Sequence, residues 1–304
     1  MKANNNKVVV KASEANKDKK VLVTGGTDGI GRETALRLAE LGYNVTISGR
    51  SAEKASEVQN AGMEAKMPPI MYYQVDFADF NEVVEFAKFV VGEKFDIVVF
   101  NAGVMLPEGE QTNDEIDTTI QINFLSTYYV TKKLLDAAVP VHMVFLTSIL
   151  IRAVSLLSMG KFSSTSVTSW ETMCSVGSKS GWTKYAISKY GMAVLASMVT
   201  SSAIPGITAT AIHPGSVMTN LTHNISNSRR RNLRVFKFML TSVEKAGDNV
   251  LQACMKPLEH NQYFVENKVK KFNSRITSKQ AHTAMSGYAD HTIARLAGLA
   301  VNQE

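Results

Sequence analysis

Apolar residues gather in short, nearly continuous runs, and between the runs they recur at helical spacing. The runs are Val21 to Thr24, Asn44 to Ser48, Met71 to Val75, Phe95 to Phe100, Val141 to Thr147, Ile207 to His213 and Tyr263 to Glu266. Each is short enough for a strand and apolar enough to be covered on both faces. The intervening pattern predicts helices from about Arg32 to Leu41, between the second and third runs, around Phe80 to Val91, near Thr118 to Ala138, and near Lys184 to Ser202. Strand and helix therefore alternate, which implies parallel strands with covering helices. The expected closure is a single α/β domain built on a doubly wound, seven-stranded parallel sheet. Ligands of such sheets bind at the carboxyl ends of the strands, where Gly25, Asn101, Ser148 and Pro214 all fall.

Composition narrows the class. The chain has 304 residues, 45% hydrophobic and 20% charged, which is ample for one large core. Nothing reads as a linker, so residues 20–304 are taken as the domain. Residues 1–19 are rich in Asn and Lys and read as a flexible polar tail without a signal sequence or membrane anchor. The two cysteines, Cys174 and Cys254, argue against a disulfide framework, and neither has a partner at metal-ligand spacing. A cytoplasmic protein without metal is expected. The net charge of +6 includes the clusters Arg229 to Arg231 and Lys268 to Lys271. With no aromatic stacking platform beside them they read as a solvated basic face rather than a nucleic-acid site.

The first run breaks into Thr24-Gly25-Gly26-Thr27-Asp28-Gly29-Ile30-Gly31 just before a helix. Glycines let the backbone turn sharply against a pyrophosphate, and a helix N-terminus offers unpaired N–H groups and a positive dipole end. The glycines Gly25, Gly29 and Gly31 fit Gly-x-x-x-Gly-x-Gly rather than the commoner dinucleotide spacing. Far downstream, Tyr185 and Lys189 are four apart on a predicted helix and so share a face. A cation beside a phenol favours the phenolate, so the pair can exchange a proton near neutral pH.

In their order along the chain these elements resemble the short-chain dehydrogenase/reductase family, with its Rossmann fold. Its members carry Thr-Gly-x-x-x-Gly-x-Gly, Asn-Ala-Gly (here Asn101-Ala102-Gly103) and Tyr-x-x-x-Lys. Pro214-Gly215 after the sixth strand also matches. The resemblance implies a catalytic set of Asn123, Ser148, Tyr185 and Lys189. It implies a cofactor site made by Gly25, Thr27, Asp28, Gly29, Ile30, Gly31, Asp76, Phe77, Asn101, Gly103, Tyr185, Lys189, Pro214, Val217 and Thr219. Asp76 and Phe77 resemble the family's adenine-contacting pair, and Thr219 the residue that grips the carboxamide or pyrophosphate. Asn123 lies mid-helix, where the family has a local distortion. Thr147 is the alternative hydroxyl to Ser148. The mechanism implied is hydride transfer between the nicotinamide and a carbonyl carbon, with Tyr185 as acid or base, Ser148 on the oxygen, and Lys189 lowering the phenol pKa.

Cofactor choice turns on Gly49-Arg50 at the end of the second strand, where an NAD enzyme would place an acid. A guanidinium there forks onto a phosphate, so NADP(H) is expected. The substrate is expected to be a small apolar aldehyde, ketone or alcohol. Two segments border its entrance: an insertion at about 150–182, with Leu156, Leu157, Met159, Phe162 and Trp170, and a lid at about 216–240. The insertion reads either as an apolar lid or as a disordered serine-rich loop. The close of the chain resembles the retinol dehydrogenase-like and WW-domain oxidoreductase-like branch. The alternative reading is a catalytically idle NADP(H)-binding regulator or scaffold acting through protein partners. Helices near Thr118 to Ala138 and Lys184 to Ser202 pair in dimeric relatives, which makes a homodimer a candidate assembly and a monomer the alternative.

Overall fold

The computed structural model describes residues 14–106, 110–177, 179–217 and 241–301. The lid expected at about 216–240 lies almost entirely outside the described residues, and Thr219 with it. The chain opens with β1 (Lys20–Thr24), α1 (Gly29–Glu40), β2 (Asn44–Gly49), α2 (Ala52–Glu64), β3 (Met71–Gln74), α3 (Phe80–Glu93) and β4 (Ile97–Phe100). Next come α4 (Thr118–Ile120), a π-helical turn (Gln121–Leu125), α5 (Ser126–Asp136), β5 (Val141–Leu146), α6 (Val154–Leu157), α7 (Val167–Cys174), α8 (Gly181–Ser201) and β6 (Ile207–His213). It closes with α9 (Val243–Met255), β7 (Gln262–Val265), β8 (Lys268–Lys271), α10 (Ser274–Thr277) and α11 (Lys279–Val301).

Among the described residues the strands form one sheet in the order β3-β2-β1-β4-β5-β6-β7-β8. The first seven run parallel, and β8 pairs antiparallel with β7. The expected sheet of seven strands therefore gains an eighth. Its residues, Lys268, Val269, Lys270 and Lys271, are all exposed. A lysine-rich strand at a sheet edge resists pairing with other chains, and the same lysines hide it from a hydrophobic pattern. The order reverses between β1 and β4, which opens a crevice at the carboxyl ends of the strands.

The sheet separates two apolar layers. On one face α1, α2 and α9 cover Val21, Val23, Ile47, Val99 and Val144. Helix α1 does so with Gly31, Thr34, Ala35, Leu38 and Ala39, the stripe expected at this spacing. On the other face α3, α5 and α8 cover Leu22, Val98, Phe100, Met143 and Phe145. Helix α8 is buried on nearly every side, because β5, β6, the π turn, α7 and α11 all pack on it.

Two stretches differ from expectation. The insertion is neither disordered nor an apolar lid, since Trp170 on α7 is fully buried and its indole Nε1 donates to the Ser164 carbonyl at 3.1 Å. Its ring stacks with Phe124 at 5.7 Å and meets Phe162 edge-on at 4.9 Å. Leu156 and Met159, by contrast, are 81% exposed. In the stretch read as a tail, residues 14–19 are described, and the Asn16 amide donates to the Leu41 carbonyl at 3.0 Å.

Candidate active site at the carboxyl ends of the strands

The chain leaves β1 through Gly25 and enters α1 through Gly29, with φ of 61° and 53°, in the left-handed region that suits glycine. Asp28 caps α1, accepting the Gly29 N–H at 2.7 Å. A Cβ at Gly31 would run into the Gly25 carbonyl and the Asn101 amide, so glycine lets helix and turn close together. Asn101, at the end of β4, straps the turn from behind. Its Nδ2 donates to the carbonyls of Thr24 at 2.9 Å and Gly25 at 3.0 Å, and its backbone N–H donates to Thr24 Oγ1 at 3.0 Å. The helix N-terminus thus stays open toward the crevice, as an anion site requires.

Beside this turn is a cavity of about 830 Å³. It is lined by the turn residues Gly25, Thr27, Asp28, Gly29 and Ile30, and by Arg50, Asp76 and Phe77 from the ends of β2 and β3. Asn101 and Gly103 line its middle, and Ser148, Tyr185, Lys189, Pro214 and Val217 its far end. Gly31 and the fully buried Asn123 stand behind the wall. Asp79, three residues after Asp76, caps α3 by accepting from Asn81 N at 2.9 Å. Asp76 lies 4.0 Å from Arg50. Among the described residues of the insertion, Leu150 and Trp182 reach the cavity, as does the adjoining Ile149, whereas Leu156, Leu157, Met159, Phe162 and Trp170 do not.

At the far end the Tyr185 hydroxyl lies beside Ser148, which works to lower the phenol's proton affinity, and Ser148, Thr147 and Tyr185 all line the cavity. Ser148 also accepts the Leu150 N–H at 3.3 Å, a bond that fixes its place at the end of β5. Lys189 Nζ lies 5.9 Å from the centre of the Tyr185 ring and donates to the Leu146 carbonyl at 3.1 Å. Burial pushes the Tyr185 phenol up to about 12 and the Lys189 amine down to about 8. The expected lowering of the phenol by Lys189 is therefore not found in this state. Desolvation is the leading cause of the raised phenol, and the Lys189 ammonium is hydrogen-bonded to a carbonyl.

Asn123 sits in the π turn, where the Ser126 backbone N–H reaches the Gln121 carbonyl five residues back. Its Oδ1 accepts from Val104 N at 2.7 Å, and its Nδ2 donates to Val104 O at 2.9 Å and Ser188 Oγ at 3.1 Å. A Cβ at Gly103 would stand 3.2 Å from Asn123 Oδ1 and 3.4 Å from Lys189 Nζ, so β4, the π turn and α8 converge there. Lys184, next to Tyr185, is buried in an ion pair with Asp117 at 3.8 Å and also donates to the Ser175 carbonyl. It pins the end of the insertion to α8. His213, a further lining residue, is pushed by burial down to about 4 and is neutral at pH 7.

Trp182 and Lys54 are among the lining residues that escaped the sequence reading. Trp182 could have been found by spacing, since it precedes Tyr185 by three positions on α8 and shares a helical face with it. Thr147 Oγ1 is buried in the wall with no hydrogen-bond partner among the described residues, a polar group that a bound molecule could satisfy. Together with the strapped glycine turn it fits a dinucleotide. Among the described residues no group of three or more His, Cys, Asp or Glu side chains is placed to hold a metal ion. No helix among them is long and apolar enough to cross a membrane.

Comparison with known proteins agrees with this geometry. Residues 19–230 match the family model for short chain dehydrogenase, and the chain belongs to that family of oxidoreductases. Mouse retinol dehydrogenase 12 is 30% identical over 222 residues, 68% of this chain and 64% of that protein. An uncharacterized oxidoreductase of Schizosaccharomyces pombe is 40% identical over 120 residues, 38% of this chain and 35% of its own length. Human polyprenol dehydrogenase is 33% identical over 122 residues, 39% of this chain and 37% of its own length. The chain thus spans between about a third and two thirds of these relatives. Among solved structures, a short chain dehydrogenase from Shigella flexneri, crystallised with NADP, matches with a TM-score of 0.60 at 20% identity. That match covers 86% of this chain and 99% of that one. A protein from Mycobacterium paratuberculosis matches with a TM-score of 0.68 at 19% identity, covering 94% of this chain and 96% of its own. At that identity both establish the fold.

Proposed function

We infer that the chain is an NADP(H)-dependent reductase of apolar aldehydes or ketones, with Tyr185 as the proton donor. The observation that carries this reading is the convergence of Ser148, Tyr185 and Lys189 at the far end of a cavity whose near end is the glycine turn. The α1 N-terminus, with Thr27 and Ile30, would hold the pyrophosphate, and Arg50 a phosphate on the adenosine ribose. Gly103, Pro214, Val217 and Lys189 line the part where a nicotinamide riboside would lie. A reduced nicotinamide, when bound there, supplies the hydride.

The residues of the chain do the rest. Ser148 and Tyr185 both point hydroxyls to where a carbonyl oxygen would sit, and Tyr185 gives its proton as negative charge develops on that oxygen. Burial pushes the Tyr185 phenol up to about 12, so at neutral pH it holds the proton that a carbonyl oxygen would receive. Lys189, with its Nζ 5.9 Å from the ring centre, supplies a nearby positive charge that would favour the phenolate left behind. Asn123 holds Val104 and Ser188 in place behind it. Val104, Met105, Leu106, Ile122, Ile149 and Leu150 make the wall apolar. Two relatives are named for retinol and polyprenol, both long and apolar, which supports the substrate class.

The test is a panel of aldehydes and ketones followed by loss of NADPH absorbance. Turnover of apolar carbonyls well above that of short polar ones is expected. No turnover with any carbonyl, in either direction, would overturn the reading.

A further inference from the structure

Two charged side chains are buried beside the proton donor. Lys184, in the first turn of α8 and next to Tyr185, is 1% exposed, and Asp117, which caps α4, is 2% exposed. Lys184 Nζ lies 3.8 Å from Asp117 Oδ2 and also donates to the carbonyl of Ser175, just past α7. Asp117 is held in turn, because its other carboxylate oxygen accepts the Ile120 N–H at 3.1 Å. Burial raises the Asp117 carboxyl and lowers the Lys184 amine, and each charge opposes that displacement in its partner.

Stability does not account for the pair. Two buried charges are costly to desolvate, and apolar residues of similar volume often serve a fold as well or better. What the pair adds is direction. Asp117 opens the segment that runs through α4 into the π turn, where Asn123 stands. Lys184 and Ser188 are four apart on α8 and so share a face. The first meets Asp117, and the second accepts from Asn123 Nδ2 at 3.1 Å, so α8 is tied at two points to one segment. The neighbouring face carries Tyr185 and Lys189 to the cavity, which neither Lys184 nor Asp117 lines. Around the rest of α8 the buried residues include Ala186, Ile187, Met192 and Ala193. Apolar contact has no preferred direction, whereas two polar ties a turn apart define how the helix is rotated.

We propose that the buried Lys184–Asp117 pair positions the proton donor, by holding α8 at the rotation that brings Tyr185 beside Ser148. The idea rests on the assignment of Tyr185 as proton donor. Lys184 and Asp117 are positioning residues that act through Tyr185, and a shift of about 1 Å in a reacting group can cost about a hundredfold in rate.

The experiment is a double-mutant cycle on the full-length protein, with an apolar aldehyde from the panel and enough enzyme to read slow residual rates. One arm carries Asp117→Asn with Lys184→Met, which removes both charges and keeps a residue that caps helices well. The other arm is Tyr185→Phe, and the last protein carries all three changes. The paired variant is expected to melt within about five degrees of wild type. Its kcat should fall about tenfold or more, with KM and NADPH affinity within about threefold of wild type. In the Tyr185→Phe background the same two changes should alter the residual rate by less than about twofold, because the group they position is gone. An unchanged kcat in the paired variant overturns the proposal, and so does a further loss of similar size in the Tyr185→Phe background. A paired variant that fails to fold, or melts far below wild type, overturns it too, since the pair then holds the fold rather than the donor. Turnover of Tyr185→Phe at the wild-type rate removes the proton-donor reading itself, a result distinct from the others.

Discussion

Lys189 Nζ stands 5.9 Å from the centre of the Tyr185 ring, yet its hydrogen bond runs to the Leu146 carbonyl at 3.1 Å. The two groups share a helical face, as their spacing requires, but the ammonium is tied to the end of β5 and does not touch the phenol oxygen. The protein therefore carries a buried cation and a protonated phenol side by side, each displaced by burial in the direction that removes charge.

That displacement has a consequence for stability. The Lys189 amine titrates at about 8 in the folded chain and near 10.5 when unfolded. Between these values the unfolded state binds more protons, so this group's contribution to stability rises with pH by about 3 kcal/mol across the window. Urea unfolding of wild type and Lys189→Met at a series of pH values should show the difference shifting toward wild type by about that amount. A difference that stays constant from pH 8 to 10.5 contradicts it.

The same titration shapes the rate. For carbonyl reduction kcat/KM reports the free enzyme, in which Tyr185 stays protonated until far above neutrality and Lys189 loses its charge near 8. The profile should be level from about pH 6 to 7 and fall above about 8. A profile that stays level to about pH 10 would show that the lysine charge plays no part.

Arg50 is expected to carry the attraction for a ribose phosphate, although Asp76 lies only 4.0 Å away. Arg50→Asp should weaken NADPH binding more than about tenfold and help NADH. Equal affinities before and after would remove the role given to this guanidinium.

Trp170 tests the insertion. It is fully buried among Phe124, Phe162, Tyr190 and Tyr288, so Trp170→Ala should cost about 3 to 5 kcal/mol. A melting temperature within a degree or two of wild type would contradict that packing.

Much of this was readable in advance, for physical reasons. Strands such as Val141 to Leu146 are buried along their whole length, so each appears as an unbroken apolar run. The glycine turn and the Tyr185-x-x-x-Lys189 face are contiguous, and local spacing is enough to place them. Other features depend on partners far along the chain. β8 reads as a basic patch because its four residues face solvent at a sheet edge. The burial of Trp170 is set by Phe124 and Tyr288, and the kink at Asn123 by where the Ser126 N–H finds its acceptor. The high proton affinity of Tyr185 could not be read either, since it follows from desolvation in the assembled cavity rather than from the charge of its neighbour.

The central claim is that the Tyr185 hydroxyl supplies the proton. The direct measurement is turnover and NADPH affinity of Tyr185→Phe beside wild type, with an apolar aldehyde chosen from the panel. The account predicts a loss of about a hundredfold to ten-thousandfold in kcat with NADPH affinity within about threefold of wild type. A variant that reduces the aldehyde at the wild-type rate would contradict it.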